Sequence, residues 1–138
     1  MTATNNRLVF SLQTARSEAI KRAVAVVLCP SENPLNASAT CSGGYGDGWI
    51  VFEDADGNGL RAATEELILQ TDASSPAFSI TPDTVFEDRI FFNLMGASVN
   101  PSGGPLSGSI LLDYQGGAQQ RRVDVGASGR ISTTVLSP

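Results

Sequence analysis

The stretch Asn6–Ala23, NRLVFSLQTARSEAIKRA, is the longest helical pattern in the chain, and it decides the fold. One apolar stripe recurs at i, i+4, i+7, i+11 and i+15, as on a helix of 3.6 residues per turn. The stripe consists of Leu8, Leu12, Ala15, Ala19 and Ala23. Because the alanines of the stripe are small, another layer of structure can approach the C-terminal part of the helix closely, and we expect a β-sheet to pack there. Glu18 stands four residues before Arg22, which is the favourable order for an ion pair within a helix.

Composition indicates a globular protein. The chain has 138 residues, of which 41% are hydrophobic and 17% charged, and we interpret residues 1–138 as a single domain. The net charge of −5 argues against nucleic acid as the principal partner. Ten of the fourteen acids lie between Asp47 and Asp88, whereas the bases gather towards the two ends. No apolar run approaches the roughly 20 residues that span a bilayer, and no signal peptide is present, so we expect the chain as given to be soluble.

Beyond Ala23 the pattern changes to period 2 or to short apolar runs, which indicates strands. We predict about eight, at 23–29, 49–53, 66–71, 78–80, one or two within 85–94, 109–114, 120–125 and 130–136. Gly116-Gly117 between two of them indicates a hairpin. The predicted class is α+β: a helix at about 6–23 packed on antiparallel sheets formed by residues 24–136.

The two cysteines, Cys29 and Cys41, flank a loop-like segment, PSENPLNASAT. A disulfide would close this loop and implies an oxidising compartment. The alternative is two free thiols in a cytosolic protein. A zinc site is disfavoured, because two thiols without histidine do not complete four ligands.

An acidic turn is the sharpest chemical motif. Asp54, Asp56, Asn58 and Glu65 stand at positions 1, 3, 5 and 12 of an EF-hand loop, with Gly59 at position 6. Calcium is therefore one possible ligand. The flanking segments WIVFE and ELILQT are strand-like rather than helical, however, which favours a glycine-rich β-turn and no cofactor.

Catalysis has little support. The chain has no histidine, so Ser–His and Cys–His pairs are excluded. The adjacent acids at 65–66 and 87–88 would point to opposite faces of a strand, which is unsuited to cooperation. We therefore predict that the protein is not an enzyme.

The order of these segments resembles the FimT/FimU/GspH family of type IV minor pilins and type II secretion pseudopilins. The resemblance runs from about Asn6 to Thr133, through LQTARSEAIKR, LCPS, GDGWIVFEDADGNG, EELIL, RIFFNLMG and RRVDVGASGRIST. The helix and the GWIVFEDADGNG hairpin are its most specific parts. The cysteine pair and the acidic turn are more similar to the FimT/FimU pilus branch than to the GspH secretion branch.

The resemblance implies a β-rich head on a helix that continues into a hydrophobic, N-terminally methylated membrane anchor. Met1 to Thr4 is interpreted as standing in place of that anchor. The implied location is the periplasmic side of the inner membrane and the pilus filament or tip. The implied partners are other minor pilins and the major pilin, in a priming or tip complex. A GspH-like pseudopilin of a secretion system is the alternative role.

Two sets of residues follow as candidates for contact. Phe10 lies on the polar side of the helical wheel, so we expect it, with Leu8 and Leu12, to meet neighbouring subunits. Some FimT members bind DNA through a C-terminal Gly-Arg-x-Arg motif. Here Gly129-Arg130 matches its first half, and Ser132 replaces the second arginine. DNA binding through Arg121, Arg122 and Arg130 is therefore a second hypothesis, with phosphate contacts that weaken in salt. Further phosphate contacts in this hypothesis could come from the helix, through Arg7, Arg16, Lys21 or Arg22.

Overall fold

The computed structural model of the protein describes residues 2–37, 39–54, 65–72, 78–86, 89–99, 104–114 and 120–136. Within these residues, one α-helix, α1 (Thr2–Arg22), precedes nine strands. The strands are β1 (Val26–Pro30), β2 (Trp49–Glu53), β3 (Leu67–Thr71), β4 (Phe78–Pro82), β5 (Ile90–Phe92), β6 (Ser98–Val99), β7 (Gly108–Tyr114), β8 (Gln120–Val125) and β9 (Ile131–Leu136). Within the described residues, no helix is both long and apolar enough to cross a membrane.

The strands form two antiparallel sheets. The first has the order β3-β2-β1-β5-β6, and the second has the order β4-β7-β8-β9. The predicted hairpin between β7 and β8 is confirmed in its strands, which pair from Gly108↔Val125 to Asp113↔Gln120. Its Gly116-Gly117 turn lies outside the described residues. The predicted α+β class, a helix on antiparallel sheets, is confirmed.

One hydrophobic core is shared by the helix and both sheets. Leu8, Leu12, Ala15 and Ala19 of α1 are fully buried. They share a cluster with Val26 and Leu28 of β1, Ile110 and Leu112 of β7, and Val123 and Val125 of β8. The ring nitrogen of Trp49 also donates to the buried Ser11 hydroxyl at 2.8 Å, which fixes α1 against β2. The apolar stripe read from the sequence is therefore the surface that joins the two sheets.

The central strands of the first sheet, β2, β1 and β5, are buried on both faces, which explains their unbroken apolar runs. In β1, Val26 and Leu28 point to the core under α1, and Val27 and Cys29 point to a second cluster on the opposite face. That second cluster includes Ala39, and the disulfide Cys29–Cys41 joins the covering loop to it with the Cα atoms 5.5 Å apart. The predicted disulfide is confirmed.

The helix differs from the prediction at both ends. It begins at Thr2, four residues before the predicted start, and it ends at Arg22. Ala23 is exposed rather than part of the buried stripe, and its φ is +55°. The amide of Val24 donates to Ala19 and the amide of Ala23 to Ile20, both at 3.3 Å. This pair of hydrogen bonds is a Schellman motif, in which the residue after the helix adopts the left-handed conformation.

The one or two strands predicted within 85–94 are represented by β5 among the described residues, where Thr84–Phe86 forms a 3₁₀ turn. The two-residue strand β6 was not predicted. Pro30 ends β1 as a paired residue rather than stopping it earlier. Pro30 pairs with Trp49 of β2, whereas the pairing of β1 with β5 ends at Leu28. Because β5 does not extend to Pro30, the missing N–H of the proline costs no hydrogen bond on that side of β1.

Candidate binding groove between the helix and the last turn

A groove of about 400 Å³ separates α1 from the turn between β8 and β9. The helix contributes polar and aliphatic side chains, and the turn contributes a glycine followed by an arginine. The lining residues are Gln13, Arg16, Ser17, Ile20, Gly129, Arg130 and Ile131. The groove therefore combines two guanidinium groups with two isoleucine walls.

Three segments meet at the floor of this groove. The Arg16 Nε donates to the carbonyl oxygen of Gly96 at 3.0 Å, which fixes the guanidinium against the β5–β6 turn. Gly129 has φ +89°, and a Cβ there would overlap the Gly96 carbonyl oxygen. Gly96 itself has φ +79°, and a Cβ there would lie 2.6 Å from Cδ1 of Ile20. Both positions require glycine, because L side chains rarely adopt this φ and no space is left for one.

The groove keeps its positive charge. Arg130 is exposed and Arg16 is half-buried. In the part of the chain that the structure describes, neither Arg16 nor Arg130 forms an ion pair, and no carboxylate lines the groove. An anionic group entering the groove therefore meets two arginines that are not already neutralised by ion pairs with described residues.

The structure separates the three arginines that were predicted to bind DNA. Only Arg130 lines the groove. The Nε of Arg122 lies 3.1 Å from an Asp124 carboxylate oxygen on the outer face of β8. Arg121 is half-buried and shares the strand face of the buried Val123. The three side chains do not form one surface, and Arg16 takes the place of the other two beside Arg130.

The predicted contact residues also separate. Phe10 is 60% exposed, which confirms its place on the outer side of the helix. Leu8 and Leu12 are fully buried in the chain's own core, which leaves them no surface for a neighbour. The assignment of Leu8 and Leu12 as subunit contacts is therefore wrong. The apolar stripe to which they belong packs α1 against the chain's own sheets and not against another subunit.

The acidic turn is described only at its two ends. Asp54 and Glu65 are both buried, whereas Asp56 and Asn58 lie outside the described residues. No group of three or more histidine, cysteine or acidic side chains with metal-binding geometry occurs among the residues with described placement. Calcium binding stays a prediction. A calcium titration of chelated protein tests it, because a ligand bound only by the folded state raises the melting temperature.

A charged cluster fixes the C-terminal end of α1 to the first sheet. The Arg22 guanidinium contacts carboxylates of Glu18 at 2.7 Å, Glu53 at 2.9 Å and Glu66 at 2.7 Å. The predicted Glu18–Arg22 pair is confirmed. The hydrogen bond from Arg22 lowers the pKa of Glu18, and the carboxylates around Arg22 raise the pKa of its guanidinium.

Sequence reasoning missed Gly96, Gln13 and Ile20 as parts of a groove. Asn93 carried a usable signal, because an asparagine three residues before a glycine is typical of a turn. Its side-chain oxygen accepts from the amides of Met95 and Ala97, both at 3.0 Å. Nothing in the sequence indicated that this turn would lie against α1.

In the described residues, one N-terminal α-helix lies across two antiparallel sheets with a shared core, which is the arrangement of a pilin-like fold. The family model described as "Type II transport protein GspH" matches residues 4–129. The chain therefore belongs to the GspH family, as the sequence resemblance predicted.

Solved structures of one protein share this fold. The type IV minor pilin FimU of Pseudomonas aeruginosa (strain PAO1) in space group P65 superposes with a TM-score of 0.71 and 18% identity, covering 100% of this chain and 97% of FimU. A second FimU crystal form, P21, gives a TM-score of 0.65 and 18% identity, covering 99% and 87%. No curated protein sequence matches the chain.

Proposed function

We propose that this chain is the head of a type IV minor pilin, which acts by protein–protein contact in the priming or tip complex that begins pilus assembly. Membership of the GspH family and the fold shared with the minor pilin FimU support this function. The family consists of structural subunits rather than enzymes. The absence of histidine from the sequence agrees with a role in contact rather than in catalysis.

The observation that carries the proposal is Phe10. Its ring is 60% exposed on a helix whose opposite side is fully buried in the core. A large aromatic side chain on a rigid element is the kind of residue that dominates protein–protein interfaces. Leaving it in water forgoes the stabilisation that burial of an aromatic ring gives. A neighbouring subunit that covers Phe10 would recover that stabilisation.

In this function the head faces the periplasm, attached to the inner membrane, and enters the filament or its tip. Its partners are other minor pilins and the major pilin. The Cys29–Cys41 disulfide suits such an oxidising compartment. A GspH-like pseudopilin of a type II secretion system is the competing role within the same family, and the genes beside this one distinguish the two.

Replacement of Phe10 tests the proposal in the native host. We expect Phe10→Asp to reduce the number of surface pili, because a charge replaces the aromatic contact. Leu35→Asp is the matched control, since Leu35 is also 60% exposed but lies in the disulfide loop. Both variants should melt as the wild type does. Normal pilus numbers in the Phe10→Asp strain would contradict the proposed contact.

DNA binding is the second candidate function, favoured by the convergence of Arg16 and Arg130 in one groove. Phosphate contacts by these two side chains would give an affinity that falls with salt. An electrophoretic mobility shift at low salt tests it. Absence of a shifted band, or a band unaffected by Arg130→Ala, removes this candidate.

A further inference from the structure

We propose that the groove between α1 and the β8–β9 turn receives a carboxylate side chain flanked by aliphatic residues, on a neighbouring pilin-like subunit. This assignment deepens the proposed function and rests on it. The occupant is identified from charge: two arginines face a groove that no carboxylate of the described residues lines.

Arg16 is already held in position for such a partner. Its Nε is occupied by the Gly96 carbonyl at 3.0 Å, so the two terminal nitrogens are the donors that remain for a ligand. A guanidinium presents two such nitrogens as a planar fork that matches the two oxygens of a carboxylate. Because the side chain is fixed before binding, less conformational entropy is lost when the partner arrives.

Arg130 completes the site from the opposite wall. It follows Gly129, whose backbone is fixed by its close approach to Gly96 and Arg16. The Arg130 side chain is exposed, so the turn supplies a second cation to the same space without burying it. One carboxylate between these two arginines would form charge-assisted hydrogen bonds, which are stronger than neutral ones.

The remaining lining favours a peptide over nucleic acid. Ile20 is 48% exposed and Ile131 is half-buried, so both offer aliphatic surface beside the arginines. None of the described residues that line the groove is aromatic, and single-stranded nucleic acid is usually held by aromatic stacking. Two arginines are enough to contact the two oxygens of one carboxylate. A nucleic acid needs a longer row of cations for its phosphates, and the chain's net charge of −5 repels it.

Peptide titration followed by NMR tests the occupant. The probe is acetyl-Ala-Leu-Glu-Leu-Ala-amide, added to the ¹⁵N-labelled chain, with the Gln counterpart as its neutral control. We expect the Glu peptide to shift the amides of Gly96 and Gly129 and the side-chain Nε–H of Arg16, and the Gln peptide to leave them in place. Equal responses to the two peptides, or no response to either, overturn the proposal.

A twelve-nucleotide oligothymidylate is the third probe in the same titration. If it shifts these three signals while the Glu peptide does not, the groove is a nucleic-acid site and the peptide assignment is wrong. If the Glu peptide shifts them and the oligothymidylate does not, the assignment to a protein carboxylate is supported.

Charge reversal provides the quantitative test. We expect Arg130→Glu to weaken binding of the Glu peptide by about tenfold or more, since a charge-assisted hydrogen bond is replaced by repulsion. Arg7→Glu makes the same change of charge at an exposed position of α1 outside the groove, and it should change the affinity by less than about twofold at physiological salt. Equal losses in the two variants would mean that only net charge matters, and the site would be rejected.

Complementation in the native host distinguishes failure of the proposed pilin function from failure of the groove assignment. If deletion of the gene leaves piliation unchanged, the proposed function fails, whatever the peptide titration shows. If deletion abolishes pili and Arg130→Glu restores them as well as Arg7→Glu does, the function stands and the groove assignment fails. Restoration by Arg7→Glu but not by Arg130→Glu, with both proteins folded, supports the groove.

Discussion

Gly129 is the residue on which the groove depends most directly. Gly129→Ala should lower stability by about 2 kcal/mol or more, which is about 6 °C in Tm, because φ +89° is strained for alanine and its Cβ would overlap Gly96. Gly126→Ala is the matched control in the same turn. Its Cβ would lie 3.8 Å from the nearest atom, the Arg130 carbonyl oxygen. Equal Tm values for the two variants, measured by circular dichroism, would contradict the packing described here.

At Ala23, in contrast, we predict a substitution that raises stability. It occupies the left-handed position of the Schellman motif at φ +55°, where glycine is the usual residue. We expect Ala23→Gly to stabilise the protein by about 0.5–1 kcal/mol, because the strain of a Cβ at positive φ is relieved. Ala25→Gly, beyond the end of the helix and before β1, should destabilise or leave Tm unchanged. A lower Tm for Ala23→Gly would refute the left-handed assignment.

The end of α1 should make stability depend on pH. Because Arg22 lowers the pKa of Glu18 from its ordinary 4.5, this pair stabilises the fold fully above that value and less as the pH falls through the folded-state pKa. Glu18→Gln should therefore melt about 1–2 °C below the wild type at pH 7, and the difference should vanish in acid. Arg22 keeps Glu53 and Glu66 as partners in this variant, so the loss is small. A difference in Tm that grows as the pH falls would contradict the predicted direction of the pH dependence.

The disulfide loop is the second element whose contribution can be measured. The bridge closes a loop of sequence separation 12 and places Cys29 in the buried second cluster. Replacing both cysteines by alanine should cost about 3 kcal/mol, or about 10 °C in Tm, chiefly by freeing the unfolded chain. Adding reductant to the wild type should give a similar loss. A change of less than about 2 °C in both experiments would contradict this account.

Elements with strong local patterns could be predicted from the sequence, and those made by distant contacts could not. The strand Trp49–Glu53 was predicted with its observed bounds, because four apolar, β-favouring residues followed by a glutamate stand between glycine-rich and acidic turns. Strand β6 escaped prediction because Ser98–Val99 has two residues, too few for a local pattern, and is defined by its pairing with Phe91 and Phe92. The helix start was misplaced because Thr2 to Asn5 carry no apolar stripe of their own.

At the scale of the whole molecule, the shared core predicts one cooperative transition. Leu12 is fully buried where α1 meets both sheets, so Leu12→Ala should cost about 2–5 kcal/mol. Trp49 reports directly on helix docking, because its ring nitrogen donates to Ser11 of α1. The fluorescence of Trp49 and the far-UV circular dichroism of the chain should therefore change in one transition. Phe10→Ala, at an exposed position of the same helix, should change stability by less than about 1 kcal/mol. Separate transitions by the two probes would mean that the helix unfolds independently.

The groove was accessible to sequence reasoning only in pieces. Arg130 could be chosen because it follows Gly129, as in the Gly-Arg-x-Arg motif. Arg16 was one of four basic helix residues offered as additional phosphate contacts, and no sequence pattern singled it out as the one beside Arg130. Their proximity is a property of the packing, because α1 and β9 are far apart in sequence and come into contact only through the tertiary fold.

The long-range contact at the floor of the groove also has a consequence for the order of folding. Arg16 and Gly96 are 80 residues apart in sequence. Closing such a large loop costs entropy before any contact is gained, which slows folding. Leu8 and Leu12 are synthesised well before Ile110, Leu112, Val123 and Val125, which share their core cluster. The apolar face of the helix therefore stays exposed to misassociation until the later strands are available to cover it.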